Sequence, residues 1–232
     1  MKRILIKLSG EALMNGKGEI YDPEFVDRVA GAVKTSMDMG YEIALVLGAG
    51  NIWRGRQGGE MDRTEADRMG MLATVINSIC IKDALVRCGV DARVMTAMST
   101  EPMAEKFSAD LAKRYLSEGK VVIFGGGLGV PFLSTDTAGA VRAAEIGADV
   151  MLMAKNVDYI YTDDPRKNPN AEKLEVVKAS EVLARNLKAI DATATAFCMS
   201  NGMPIRVFGL REPEDIVKAV SGESVGTVVL AE

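Results

Sequence analysis

Histidine is absent from this 232-residue chain. With it go the commonest general base, the usual imidazole metal ligand and every Ser-His or Cys-His nucleophile. Cysteine is scarce as well: Cys80, Cys88 and Cys198 have neither zinc-type spacing nor the even count of a disulfide framework. They read as buried, reduced thiols of a cytoplasmic protein. No uninterrupted apolar run approaches the ~18 residues of a membrane span, and Lys7 follows Arg3 too closely for a signal segment. Positive charge is the minority, 28 Lys and Arg against 32 Asp and Glu for a net −4, so no broad basic face invites nucleic acid or an anionic membrane. What remains is an ordinary globular composition, 48% hydrophobic and 26% charged, long enough for a full hydrophobic core.

Apolar runs of strand length recur between stretches of helical period, at residues 4–8, 43–47, 92–95, 121–124, 150–153, 205–208 and 228–230. They are continuously apolar rather than alternating, as expected of a parallel sheet covered by helices on both faces. Between the first two, Pro23 suits a helix's first turn, and Phe25, Val29, Val33 and Met37 form a stripe that ends before Gly40, giving a βαβ crossover. A long helix is expected from near Thr64, whose spacing to Asp67 fits a capping box, to about Cys88. The polar, proline-bearing stretch 162–173 reads as an exposed loop. The fold class is α/β, a three-layer αβα sandwich with a central, mostly parallel sheet, and residues 1–232 read as a single domain.

Three glycine-bearing turns each follow an apolar strand directly: Ser9-Gly10 after Leu8, Gly48-Ala49-Gly50-Asn51 after Leu47, and Gly125-Gly126-Gly127-Leu128-Gly129 after Phe124. In open α/β sheets ligands bind beyond the carboxyl ends of the strands, where glycine lets backbone N–H groups approach phosphate. One such turn is most simply a tight connection; three together point to phosphate. No P-loop pattern is present, and Trp53 stands where the dinucleotide fingerprint needs a small residue. Lys7 precedes the first turn, where its ammonium could meet phosphoryl oxygens; alone it would read as a solvated strand end. Arg54, Arg56, Asp67 and Arg68 are candidate phosphate and ribose ligands, or salt-bridged surface residues. Asp136, after Ser134-Thr135, suits a helix cap, a partner that orients Lys7, or both.

Five separated blocks carry a resemblance. They are Lys7-Leu8-Ser9-Gly10-Glu11-Ala12-Leu13, Asn51-Ile52-Trp53-Arg54-Gly55, Asp67-Arg68-Met69-Gly70-Met71-Leu72-Ala73-Thr74, Pro131-Phe132-Leu133-Ser134-Thr135-Asp136 and Pro204-Ile205-Arg206-Val207-Phe208. Over essentially the whole chain the sequence resembles the bacterial uridylate (UMP) kinases of the amino acid kinase fold family. The resemblance implies reversible transfer of the ATP γ-phosphoryl group to UMP, giving UDP and ADP in pyrimidine nucleotide biosynthesis, with Mg²⁺ accompanying ATP and no metal ligand assigned on the protein. By that pattern Lys7 and Asp136 are the catalytic pair. Lys7, Leu8, Ser9, Gly10, Gly50 and Arg54 hold ATP phosphates, and Asn156, Tyr161 and Asp164 surround the adenosine, with Lys155 competing with Asn156 for one nucleotide contact. Ala49, Asp67 and the run Leu128, Gly129, Val130, Pro131, Phe132, Leu133, Ser134, Thr135 form the UMP site, with Asp67 toward the ribose and Thr135 toward uracil. Residues up to about 150 then serve mainly the acceptor and the phosphates, and residues 151–232 the ATP nucleoside. The same resemblance implies a homohexamer, activated by GTP and inhibited by UTP through residues 15–20. Ala49, Val130 and Tyr159 depart from the commoner glycine, asparagine and glycine.

The implied chemistry suits a histidine-free chain. A nucleoside monophosphate, with a second pKa of about 6 by analogy with phosphorylated side chains, is already mostly a dianion at neutral pH and needs no base. The task is to align two anions and neutralise the group in flight. Two other readings compete: a kinase of this fold acting on a carboxylate or carbamate, and a non-catalytic nucleotide sensor or oxyanion store.

Overall fold

The computed structural model of the protein describes residues 2–14, 19–53 and 59–232. Nine strands form one sheet: β1 (Arg3–Leu8), β2 (Glu42–Leu47), β3 (Ala92–Thr96), β4 (Glu105–Lys106), β5 (Val121–Gly125), β6 (Val150–Lys155), β9 (Val176–Lys178), β10 (Ile205–Gly209) and β11 (Thr227–Leu230), with β7 (Ile160–Tyr161) and β8 (Lys173–Leu174) paired apart from it. The order across the sheet is β4-β3-β5-β2-β1-β6-β10-β11-β9, and only the β10–β11 pair is antiparallel.

Strand alternation sorts β1 between two layers. Ile4, Ile6 and Leu8 enter a core shared with α1 (Pro23–Asp38), α2 (Arg63–Arg87) and α7 (Glu214–Ser221). Leu5 enters the opposite core, shared with α3 (Ala109–Ser117), α4 (Thr135–Ile146), α5 (Ala179–Ala184) and α6 (Ala192–Ser200). With period two, Lys7 follows Leu5 toward α4. Fully burying each of these large aliphatic side chains contributes about 1.5–3 kcal/mol, which is why the continuous apolar strands sit at the centre.

The seven expected strands all form, and α1 starts as its sequence dictates. Pro23 occupies its first turn, and the carboxylate of Asp22 accepts from Phe25 N at 3.1 Å. The cap of α2 differs from expectation: Asp62, not Thr64, accepts from the N–H groups of Thr64 and Glu65 at 2.9 and 3.2 Å. The first available carboxylate takes the cap, and Asp67, already inside the helix, is released for another role. Helix α2 is also long and apolar enough in composition to cross a bilayer, yet half of its apolar window is buried inside the protein, so it is a core helix. Cys198 is buried, whereas Cys80 and Cys88 are half-buried rather than enclosed; all three are free thiols. Burial, with Asp191 nearby, pushes the Cys198 thiol up to about 12.

Candidate active site

A cleft of about 680 Å³ opens at the carboxyl ends of β1, β2 and β5, where the three glycine turns meet. Ser9 and Gly10, Gly48 to Gly50, and Gly127 and Leu128 all line it. The first two turns are packed directly on each other: a Cβ on Gly10 would lie 2.6 Å from both Gly48 O and Asn51 Oδ1, so no larger residue fits. In the third turn Gly126 takes φ +77°, a left-handed backbone that a side chain would strain.

The first turns of three helices face the same space. Arg63 and Asp67 of α2, Thr135 of α4, and Ala192 and Thr193 of α6 all line the cleft. The amino ends of helices carry a partial positive charge that favours anions, offset in part here by the carboxylate caps Asp62 on α2 and Asp191 on α6. Ser134 caps α4, accepting from the N–H groups of Asp136 and Thr137 at 3.1 Å each. Asp191 caps α6, accepting from Ala194 N at 2.8 Å. The two caps are joined, because the Ser134 hydroxyl donates to Asp191, as does that of Thr137 at 3.0 Å.

Lys7 projects from the end of β1, with its Nζ 2.9 Å from Asp136 Oδ1. The other carboxylate oxygen of Asp136 receives the ammonium of Lys155, from the end of β6. Burial pushes Asp136 up, but the two ammonium charges outweigh it and hold the carboxyl below its ordinary range. Lys155 moves down, first by burial and then by repulsion from Lys7, against the pull of Asp136. One carboxylate between two lysines leaves an excess positive charge beside the glycine turns. Asp136 therefore orients Lys7, as expected, while the cap that it was offered belongs to Ser134.

Across the cleft, Arg63 Nε lies 2.9 Å from both oxygens of Asp67, and Oδ2 of Asp67 accepts from Phe132 N at 2.9 Å. Phe132, at φ +68°, sits beneath the Arg63 guanidinium, 5.7 Å from its ring centroid. The structure thus brings Lys7, Ser9, Gly10, Ala49, Gly50, Asp67, Leu128, Val130, Phe132, Leu133, Ser134 and Thr135 to one cleft. Gly129 and Pro131 belong to the same loop without lining it, and the Leu8 side chain points into the core. Asn156, Tyr161 and Asp164 lie outside the cleft: Asn156 donates to Glu11 at 2.8 Å, Tyr161 to Asp158 at 2.8 Å, and Asp164 pairs with Arg166. Arg54, Arg56 and residues 15–18 lie outside the described residues.

Sequence reasoning passed over Lys155 as a partner of Asp136, Asp191 and Arg63. Lys155 ends an apolar strand, as Lys7 does, and that parallel was the available signal; Asp191, alone in an unremarkable stretch, gave none. Among the described residues no three acidic or thiol side chains converge as a cation cage.

A sheet whose strand ends, glycine turns and helix starts converge on one cleft beside Lys7 suits a phosphotransferase of the amino acid kinase class, and the sequence model of that family matches residues 2–209, so the chain belongs to the amino acid kinase family. Within that family its similarity runs to UMP kinases. The UMP kinase of Bacillus anthracis superimposes with a TM-score of 0.95 at 35% identity, covering 100% of this chain and 96% of that one. That of Ureaplasma parvum gives 0.93 at 36%, covering 99% and 98%. The uridylate kinase of Archaeoglobus fulgidus gives 0.76 at 25%, covering 99% and 100%.

Proposed function

We propose that this protein is a uridylate kinase, transferring the γ-phosphoryl group of ATP to UMP. The observation that carries the reading is the Lys7–Asp136–Lys155 group beside three glycine turns, in a chain similar over its full length to UMP kinases. A phosphate oxygen of UMP attacks the γ-phosphorus; a new P–O bond forms as the bond to the bridging oxygen breaks, and ADP leaves. Lys7 and Lys155 face the negative charge on the group in flight, Asp136 holds both ammoniums in place, and the glycine-turn N–H groups supply fixed donors. No side chain has to remove a proton.

Ser9, Gly10 and Gly50, with Arg54, serve the donor phosphates in this reading. Asp67 takes the acceptor ribose and the loop to Thr135 takes its base. Asn156, Tyr161 and Asp164 serve the adenosine, so the donor nucleoside lies beyond the cleft, toward the C-terminal part. Magnesium, which neutralises phosphate charge when bound with ATP, keeps several waters and needs only one or two protein carboxylates. Asp136 is committed to two lysines, and both oxygens of Asp191 to Ala194 N and the Ser134 and Thr137 hydroxyls, so in this reading the ion would be held by ATP phosphates and waters, with no carboxylate of the cleft assigned to it. A homohexamer would cover the exposed apolar row Met69, Leu72 and Ile76 on α2. GTP activation and UTP inhibition belong to the same proposal, as does a cytoplasmic setting.

The test is a coupled assay of ADP release with UMP, CMP, dUMP and carbamate as acceptors, repeated with GTP or UTP. UMP is expected to be the preferred acceptor. Preference for carbamate or a carboxylate assigns the rival kinase reading, and ATP binding without ADP release from any acceptor assigns the sensor reading.

A further inference from the structure

Helix α2 buries Thr74, Asn77 and Ser78 almost completely, at 2%, 0% and 0% exposure. A helix that merely fills space between a sheet and solvent gains more from apolar side chains there, because a buried polar group costs free energy unless its hydrogen bonds are met. At two of these positions they are met by the backbone of the cleft. The Thr74 hydroxyl donates to Met71 O at 2.6 Å and accepts from Gly126 N at 2.8 Å. Asn77 Nδ2 donates to Gly48 O and to Asn51 Oδ1, each at 2.7 Å, while its Oδ1 accepts from Asn51 Nδ2 at 3.0 Å and from Tyr21 OH at 2.7 Å. One face of one helix therefore grips the second and third glycine turns from behind.

We propose that Thr74 and Asn77 are positioning residues for phosphoryl transfer, fixing the separation and orientation of the turns at residues 48–51 and 125–129. This rests on the kinase reading above. The Thr74 hydroxyl, on the cleft wall, and both polar atoms of the Asn77 amide are hydrogen-bonded within the protein, so they act through the backbone they hold. Fixed donors are effective only at the place where charge develops, and a shift of about 1 Å in such a group costs up to ~10²-fold in rate. The loss should fall mainly on kcat, since in that reading Asp67 and residues 130–135 hold most of UMP, and Asn156, Tyr161 and Asp164 the adenosine, outside these two turns.

Thr74→Val keeps the volume and removes the hydroxyl, whereas Thr74→Ser keeps the hydroxyl. Per folded molecule, Thr74→Val is expected to lower kcat about 10-fold or more with both KM values within about threefold, and Thr74→Ser to restore most of the rate. Parental kcat in Thr74→Val, or equal loss in both variants, overturns the proposal. Tyr21→Phe removes only the outer bond to Asn77 and spares the core; about threefold lower kcat is expected, and an unchanged kcat overturns the Asn77 half. If the parent makes no UDP from UMP, the kinase reading fails and hydrogen exchange decides the positioning claim. Exchange at the 125–129 turn should quicken in Thr74→Val and return in Thr74→Ser, and exchange at the 48–51 turn should quicken in Tyr21→Phe; unaltered exchange overturns it.

Discussion

Lys7 is a lysine that the fold has enclosed, its side chain 8% exposed against 9% for Asp136. A charge held this far from water is strong toward a nearby phosphoryl group, because little solvent reorganises when the group moves. Lys7→Ala should lower turnover by roughly 10²-fold or more, and near-normal turnover in the purified, folded variant refutes its role. Asp67 faces the cleft with Arg63 and the Phe132 amide already on its oxygens. An asparagine retains an acceptor for that amide but loses the charge that binds sugar hydroxyls most strongly. Asp67→Asn should therefore raise the Kd of UMP much more than that of ATP, and equal weakening of both in calorimetric titrations counts against the acceptor assignment. At this scale the sequence was informative wherever a residue stood in an unusual place. Lys7 was visible as a cation on an apolar strand beside glycine, whereas the role of Lys155 depends on β6 lying next to β1, a long-range pairing that no local pattern announces.

Elements meet at Asp136. Its carboxylate ties the start of α4 to the ends of β1 and β6, so its ionisation is part of what holds helix to sheet. Because its folded pKa lies below the ordinary 3.8, this stabilisation is fully present above that value and is lost as pH falls through the lower, folded one. Thermal midpoints measured from pH 7 down to 2 should drop in that acid window. Asp136→Asn should be less stable at pH 7 by about 3–5 kcal/mol, with two unpaired ammoniums left behind, and should lack that share of the acid loss. An acid profile identical in the two proteins contradicts the assignment. Element by element, the seven apolar strands and α1 could be read from hydrophobic runs, proline and glycine. The two-residue strands β4, β7 and β8 could not, being too short to carry a period and held by their partners. The cap of α2 was misread by two residues because Asp62 and Thr64 are both good caps, and only the path of the preceding chain selects between them.

Over the whole molecule, the glycine turns announced where the cleft opens, but not which parts of the chain would share it. Asp191, Ala192 and Thr193 come from the C-terminal third and stand on the same wall as Ser134 and Thr135. Only the stacking of α4 on α6 brings them together. The family resemblance adds what the local pattern does not, the implication that two nucleotides meet tail to tail across these strand ends.

The helix starts that face the cleft are made of peptide groups, and peptide groups neither titrate in the physiological range nor disappear when one side chain is exchanged. In a chain without histidine, that share of the attraction for an anion is insulated from ordinary swings in cellular acidity. Any response of the cleft to acidity has to enter through the few lysine and carboxylate side chains that stand beside those peptide groups.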